Sequence, residues 1–422
     1  MKILFLVYSP QRSFEDFSVR YQTGFPWVDV MIKELSDSEG ITIGLVVPVK
    51  AVTFQRRIKD KISIYGVPDL APQQSPIYWL LKRKVSIADT EILSHTINAI
   101  GDFNPDIIQV FGTENIFGMV QTRINQPVVI HFQGSVLAVA SKWFSGISKW
   151  EQARALTIRK LIYRNGSYFE YFAFKDRGVR EEVIMRNCRY FIGRTSFDRR
   201  LITLLSPKAT YFFCEEFLRP EFFVKKWELP PARRFTCISI LKGVTYKGLD
   251  LLIDTFTKLN RYSSLELEFK ICGVSEGEEV VSILKKKHRK SNFIRHFKFL
   301  GKLDTTTLIN ELLSSNLFIH PSYMENSPNS ICEAMALGMP VIATNAGGTN
   351  TLIRDDRDGI LVQEGDPYSM SAAIMELFSN SEKASLIGYN ARERALQRHH
   401  PQRLKKEIVN IYQNIAAQSK MR

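Results

Sequence analysis

The 422-residue chain lacks every short signature of a metal or redox centre: it has no CxxC pair, no HExxH, and no histidine spacing suited to zinc. Its five cysteines, Cys188, Cys214, Cys237, Cys272 and Cys332, are scattered, most of them in or beside apolar runs. They read as buried free thiols in a reducing compartment, and no metal is expected. No apolar run approaches the ~18 residues of a membrane-spanning helix. The opening MKILFLVYSP has too short an apolar stretch and no small-residue cleavage pattern before QRSFED. A first buried strand is expected there rather than a signal peptide, which makes the cytoplasm the default compartment. GxGxxG, a Walker loop and low-complexity tracts are also missing. His399 and His400 stand side by side before Pro401 and are expected on the surface.

One sign of charge dominates. The formal net charge is +14, a field that attracts polyanions such as nucleic acid, anionic lipid or phosphorylated small molecules. Residues 54–84 hold seven basic and two acidic side chains, with Tyr78, Trp79, Leu80 and Leu81 before the last basic triplet. From Lys142 to Arg200 the chain is again basic, with Trp143, Phe144 and Trp150 near the start of the stretch. Basic residues mixed with aromatics suit an anionic membrane surface. A solvated basic face over core aromatics explains them equally well.

Length and pattern indicate two domains. In the first half short apolar strands (ILFLVY, ITIGLVVPV, DIIQVFG, PVVIHFQG, YFIGR) alternate with amphipathic segments, and the alternation restarts at FTCISI. Continuous apolar strands between helices mean parallel strands buried on both faces. The expected fold is α/β, two Rossmann-like doubly wound parallel-sheet domains facing a cleft, with a first domain over 1–228 and a second over 229–401. RPEFFVKKWELPPARR reads as the linker, and a last amphipathic helix over about 402–422 is expected to pack back on the first domain. Ligands of such sheets sit at the carboxyl ends of the strands, so two facing domains enclose a two-substrate site.

The most informative stretch is ENSPNSICEAMALGMPVIATNAGG, from Glu325 to Gly348. Ser327 followed by Pro328 predicts a helix start, with Ser327 as the N-cap and Pro328 at the first helical position. Asn329 and Ser330 then lie in the first turn, where free N–H groups and the helix dipole favour an anion. Glu325 stands just outside that turn and Glu333 about two turns further on. The bland reading makes Glu325 a loop residue and Glu333 a solvated helix position. The sharper reading makes them hydroxyl-binding carboxylates flanking an anion site. A nucleoside diphosphate sugar combines those needs, with its diphosphate at the helix start and its diols on the acids.

The longer segment HPSYMENSPNSICEAMALGMPVIATNAGGTNTLIRDDRDGILVQEGD resembles the donor-binding segment of the retaining GT-B-fold glycosyltransferases of family four: a strand, PS, E-x7-E, EAMA-x-G-x-PV, a GG turn and a DG-x-LV strand. The likeness is good from FTCISI onward and mainly architectural before it. It implies that Glu333 holds the ribose hydroxyls and Glu325 the transferred sugar. The backbone from Asn326 through Ser327, Pro328 and Asn329 to Ser330 would meet sugar and phosphate oxygens. LKGVTYKGLD supplies Lys242 and Lys247 for the family's basic pair near the start of the second domain, with Lys242 replacing the usual arginine. Gly273, Lys302 and Leu303 become candidate base contacts. In the first domain the family's glycine-rich loop is reduced to TGFPW, which leaves Gly24 alone, and HFQGS offers His131 as the histidine near the reacting sugar. Arg194 is a weaker candidate for the cleft.

The resemblance implies transfer with retention and without a metal or other cofactor. With both glutamates in binding roles and no nucleophile pattern in the first domain, front-face displacement through a short-lived ion pair is expected. The implied partners are a nucleotide sugar, UDP- or GDP-linked, and a saccharide or polyprenyl-diphosphate-linked saccharide of bacterial surface polysaccharide synthesis, met at the inner face of the cytoplasmic membrane. Three other readings compete: a sugar-nucleotide epimerase with the same pocket, a glycoside hydrolase with paired carboxylates, and a basic nucleic-acid-binding protein, for which no motif is present.

Overall fold

The computed structural model describes residues 1–8, 26–49, 53–68, 83–230 and 234–420, with the backbone alone for 83–89. Gly24 and the Tyr78–Leu81 cluster lie outside the described residues.

The first sheet has eight strands: β1 (Lys2–Leu6), β2 (Thr42–Val49), β3 (Gln55–Lys59), β4 (Ile62–Pro68), β5 (Ile107–Phe111), β6 (Val128–His131), β7 (Tyr190–Gly193) and β8 (Thr210–Phe213). Their spatial order is β3-β4-β2-β1-β5-β6-β7-β8, parallel throughout except for β3 against β4. All five residues of β5 and all four of β6 are buried, as strands covered by helices on both faces require. The edge strand β3, QRRIK, is different. It carries Arg56, Arg57 and Lys59, three of the basic residues of the 54–84 stretch, at exposed positions. Charge on an edge strand discourages pairing with another chain, which accounts for those three without a ligand.

The second sheet has six parallel strands: β9 (Phe235–Ile240), β10 (Leu267–Cys272), β11 (Phe297–Gly301), β12 (Leu317–His320), β13 (Val341–Thr344) and β14 (Ile360–Val362). Their order is β11-β10-β9-β12-β13-β14, the 3-2-1-4-5-6 arrangement of a doubly wound Rossmann sheet. The winding reverses between β9 and β12, which pair through Leu317 with Cys237 and Phe318 with Ile238. The loops leaving those two strands therefore diverge and open a crevice at their carboxyl ends. Lys242 and Lys247 follow β9, and Glu325 follows β12.

Packing moves the domain boundary. Phe217 belongs to the core between the first sheet and its helices, whereas Leu218, Phe222 and Trp227 are buried in the core of the second domain. Trp227 donates from its backbone to Leu337 O at 2.7 Å and from Nε1 to Ser315 O at 2.8 Å. Most of the stretch expected to link the domains is thus folded against the second one, and the crossing falls between Phe217 and Leu218 rather than near 230. Its aromatics are the reason: a true linker has no apolar surface to bury.

The chain returns at His399, which is buried rather than on the surface. Its Nδ1–H donates to Glu216 O at 2.8 Å, while Arg398 pairs with Glu215. Burial drives the His399 pKa down to about 3, so the ring is neutral at physiological pH. The helix Pro401–Lys420 then places Leu404, Ile408, Ile411, Tyr412 and Ile415 in the first domain's core beside Trp27 and Met31. All five cysteines are buried free thiols.

Candidate active site

The carboxyl ends of the two sheets face each other and touch. Arg194, at the end of β7, donates to Ser327 O in the opposing loop. Next to it Thr195 Oγ1 donates to Asn326 Oδ1 at 2.8 Å, and Ser196 N donates to Thr351 Oγ1 at 3.0 Å. Thr245 Oγ1 bonds Trp143 O at 2.5 Å, bringing the loop after β9 against the first domain.

Glu325 is the electrostatic centre of the crevice. Lys247 Nζ, His320 Nε2 at 3.1 Å and Ser322 Oγ at 3.0 Å all donate to its Oε1; Oε2 takes none of the three. Burial by itself would raise the carboxyl's pKa, but Lys247 and then His320 outweigh it and hold the acid far below the usual carboxylate range. Lys247 answers in kind. Burial opposes its charge, and Glu325 with Tyr246 raises its pKa above that of a free lysine. Lys242 differs: its side chain is exposed to the crevice, and no salt bridge engages it among the described residues. The surrounding protein and then the Lys247 charge push its pKa down, against weaker upward pulls from Glu325 and Glu114. A cation so placed gains most when an anion arrives.

The two glycines of the NAGG turn explain how Glu325 is aimed. A Cβ on Gly347 would strike Glu325 O, and one on Gly348 would strike Asn326 O. Gly348 N donates to Glu325 O at 3.0 Å. Gly248, at φ +78°, likewise lies where a side chain would meet Pro321 O. Only glycine lets these three loops close on one another.

The helix after Glu325 starts one residue later than expected. It runs Asn329–Leu337 with Pro328, at φ −71° and ψ 119°, in the capping position and no side-chain cap. Ser327 is not the N-cap: its hydroxyl is buried without a partner and its carbonyl is taken by Arg194. Asn329 Nδ2 reaches across to Glu216 Oε2 at 2.8 Å.

Glu333 lies just over one turn into that helix and is held by a residue the sequence did not single out. Arg219 grips it in fork geometry, Nε to Oε1 and Nη2 to Oε2, both at 2.8 Å. Arg219 Nη1 also donates to Thr305 Oγ1 at 2.9 Å, and its guanidinium lies 4.5 Å from the centre of the Phe222 ring. Thr305 follows the Lys302–Leu303 loop, so one arginine ties the ribose candidate to the base candidates. Of these, Leu303 is half-buried on the second core and Lys302 is exposed. Gly273, at φ +85°, closes the same corner with its N–H on Gly301 O at 2.6 Å. Each carboxylate oxygen keeps a further lone pair for a diol. Burial raises the Glu333 pKa, Arg219 lowers it, and Glu221 adds a smaller upward push. A diol needs the ionised form, so donor binding should be full above that pKa and fall as pH drops through it. Arg219→Met removes the lowering influence and should shift this acid limb to higher pH, with partial recovery in Arg219→Lys. Donor affinity titrated against pH checks it, and an unmoved limb would separate Arg219 from the site.

His131 is buried. It is still on β6 and points with Val129 toward the helix layer, its ring centre 4.9 Å from that of Trp27 and 5.9 Å from that of Phe111. Gln109 donates to its Nδ1 at 3.3 Å, and burial, then Arg194, lowers its pKa to about 3. Two residues on, past the end of the strand, Gln133 donates to Glu216 Oε1 at 3.3 Å. Glu216 also pairs with Arg194 at 3.1 Å, and this buried pair joins the half-buried Gln133 and Asn329 in a cluster across the domains. His320, Arg219, Gln133 and Glu216 were missed in the sequence. Only His320 left a signal, as the last residue of an apolar strand before Pro-Ser.

Residues 223–394 match the family model described as glycosyl transferases group 1. Over 193 residues, 44% of this chain and 46% of the relative, the chain is 24% identical to the putative colanic acid biosynthesis glycosyltransferase WcaL of Salmonella typhimurium. The chain spans less than half the length of the first curated relatives it matches. Its fold is GT-B. Sucrose-phosphate synthase of Thermosynechococcus elongatus superposes with a TM-score of 0.71 at 14% identity, over 99% of both chains. Anabaena HepE in complex with UDP-glucose gives 0.66 at 15% identity, over 98% of this chain and 100% of that one. The matched segment contains Lys242, Lys247, Glu325 and Glu333, so the electrostatic centre described above lies within it.

Proposed function

We propose that the protein is a retaining, metal-independent glycosyltransferase. It moves a sugar from a nucleoside diphosphate donor to a hydroxyl of a lipid-linked saccharide in surface polysaccharide synthesis. The observation that carries the reading is the convergence of Lys247, His320 and Ser322 on one oxygen of Glu325 at the switch point, with Lys242 beside them. The names of the relatives support the polysaccharide setting, and a neighbour solved with UDP-glucose favours a UDP-sugar over a GDP-sugar as donor.

The chemistry follows from charge. As the bond between the anomeric carbon and the diphosphate oxygen breaks, the leaving group gains negative charge. Lys242 and a second N–H of Lys247 receive it, as a divalent ion does in other transferases. Glu325, fixed through Oε1, offers Oε2 to a hydroxyl of the sugar. The acceptor oxygen attacks from the face the phosphate leaves, and its proton passes to that phosphate. Glu333, held by Arg219, binds the ribose diol.

Thermal-shift measurements against UDP-, GDP- and ADP-sugars test the reading. One nucleotide sugar is expected to raise the melting temperature, and Glu333→Ala to abolish that shift while the free protein still melts cooperatively. Release of an epimerised donor without acceptor would replace the transferase reading with an epimerase.

A further inference from the structure

The segment between β6 and β7 contains two short helices, Lys149–Arg154 and Ile158–Tyr163, whose apolar side chains face the wrong way for a core. The second of them buries none of its residues. Ile158, Leu161 and Ile162 are 80%, 59% and 56% exposed, and Trp150 on the helix before them is 76% exposed. Spacing of three and four residues puts Ile158, Leu161 and Ile162 on one helical face, a stripe that ordinarily turns inward. Isolated exposed apolar residues need no explanation, but a contiguous set does.

This exposure is built in rather than frayed. Ser148 and Glu151 form a capping box on the first helix, and Thr157 caps the second. The polar sides are anchored to the second domain: Lys160 pairs with Glu279 at 2.8 Å, and Lys287 with Glu151 at 3.4 Å. Those two ion pairs fix the helices with their apolar stripe outward. Lys149, Arg154 and Arg159 are exposed around it, and the only acid from 149 to 164, Glu151, is already paired with Lys287.

We propose that Trp150, Ile158, Leu161 and Ile162, bordered by Lys149, Arg154 and Arg159, dock on the surface of an anionic bilayer. A protein partner would have to bring both an apolar face and an acidic rim. A bilayer with anionic headgroups supplies both, with the Trp150 indole at headgroup depth and the isoleucines just below it. A six-residue helix can lie in the interface but cannot cross it. The same segment presents Trp143 O to Thr245, so the ridge is fixed to the wall of the site that holds Lys242 and Lys247. The docking deepens the lipid-linked-acceptor reading by naming the surface that meets the lipid, yet its test needs no sugar transfer.

The test is flotation of the full-length protein with vesicles of phosphatidylcholine, either alone or mixed with phosphatidylglycerol. The protein is expected to float with the mixed vesicles at low salt, less so at high salt, and not with phosphatidylcholine alone. The triple variant Trp150→Ala, Ile158→Asp, Ile162→Asp should lose binding by about tenfold or more, with the donor-induced thermal shift unchanged. Arg154→Glu with Arg159→Glu should abolish binding to the mixed vesicles at low salt. The proposal is overturned if the protein floats with neither vesicle, or if the triple variant floats like the parent. It is equally overturned if light scattering shows a dimer that the triple variant dissolves, which would give the ridge to a second copy of the chain.

Discussion

Lys247→Met is expected to slow sugar transfer by about two to three orders of magnitude, mostly in kcat, because a preorganised cation is removed from where charge develops. The loss is compound. Lys247 faces the leaving diphosphate and also holds Glu325 ionised, with His320 and Ser322 on the same oxygen. Without it, burial regains its hold on the Glu325 carboxyl, and the pKa climbs from far below the ordinary range toward or above it. At saturating donor the variant should therefore show an acid limb in its pH–kcat profile that the parent lacks over the same range. Lys247→Arg restores charge but not a single-oxygen contact and should recover only part of the rate. Steady-state kinetics over a pH series measure both effects. A near-parental kcat would remove Lys247 from the chemistry.

Arg194→Met should cost about 3–5 kcal/mol of stability, the ordinary consequence of stranding one member of a buried ion pair. Arg194 and Glu216 are each 3% exposed and 3.1 Å apart, and Arg194 alone reaches Ser327 O across the domains. Burial already raises the Glu216 pKa, and Arg194 is the strongest influence lowering it. With the guanidinium gone, Glu216 must take up a proton or remain an unpaired charge. The double variant Arg194→Met, Glu216→Met should cost less than the single one. Urea unfolding of the parent and both variants measures this, and a double variant weaker than the single would show that the pair is not an isolated unit.

How far the sequence can be read depends on how local the physics is. Alternating apolar strands and helices announce buried parallel sheets because burial on both faces leaves no room for a polar alternation. Glu325 and Lys247 were legible as site residues, but not as partners of each other, since they leave different strands that meet only in the folded sheet. Arg219 was hidden in a stretch that looked like a linker because it holds prolines and charges. Its aromatics, Phe222 and Trp227, were the better signal. His131 and Gln133 show how much two positions matter: one side chain is still on the strand and packs on Trp27 and Phe111, while the other is past its end and bonds Glu216. Ser327 missed its role as a cap for a long-range reason, since Arg194 from the other domain takes its carbonyl. His399 reads as surface from its neighbours and is buried only because the returning chain lies across Glu216.

That return has a further consequence. The second domain is one uninterrupted excursion from Leu218 to His399, and its two ends are fastened side by side through Arg398 on Glu215 and His399 on Glu216. The first domain's sheet is complete without it, and its last helix waits on the far side of the excursion. Such a unit recombines as a cassette, since both joints lie at one spot and no strand of either sheet is cut. Exchange of residues 218–399 is therefore expected to leave the strand order of both sheets intact.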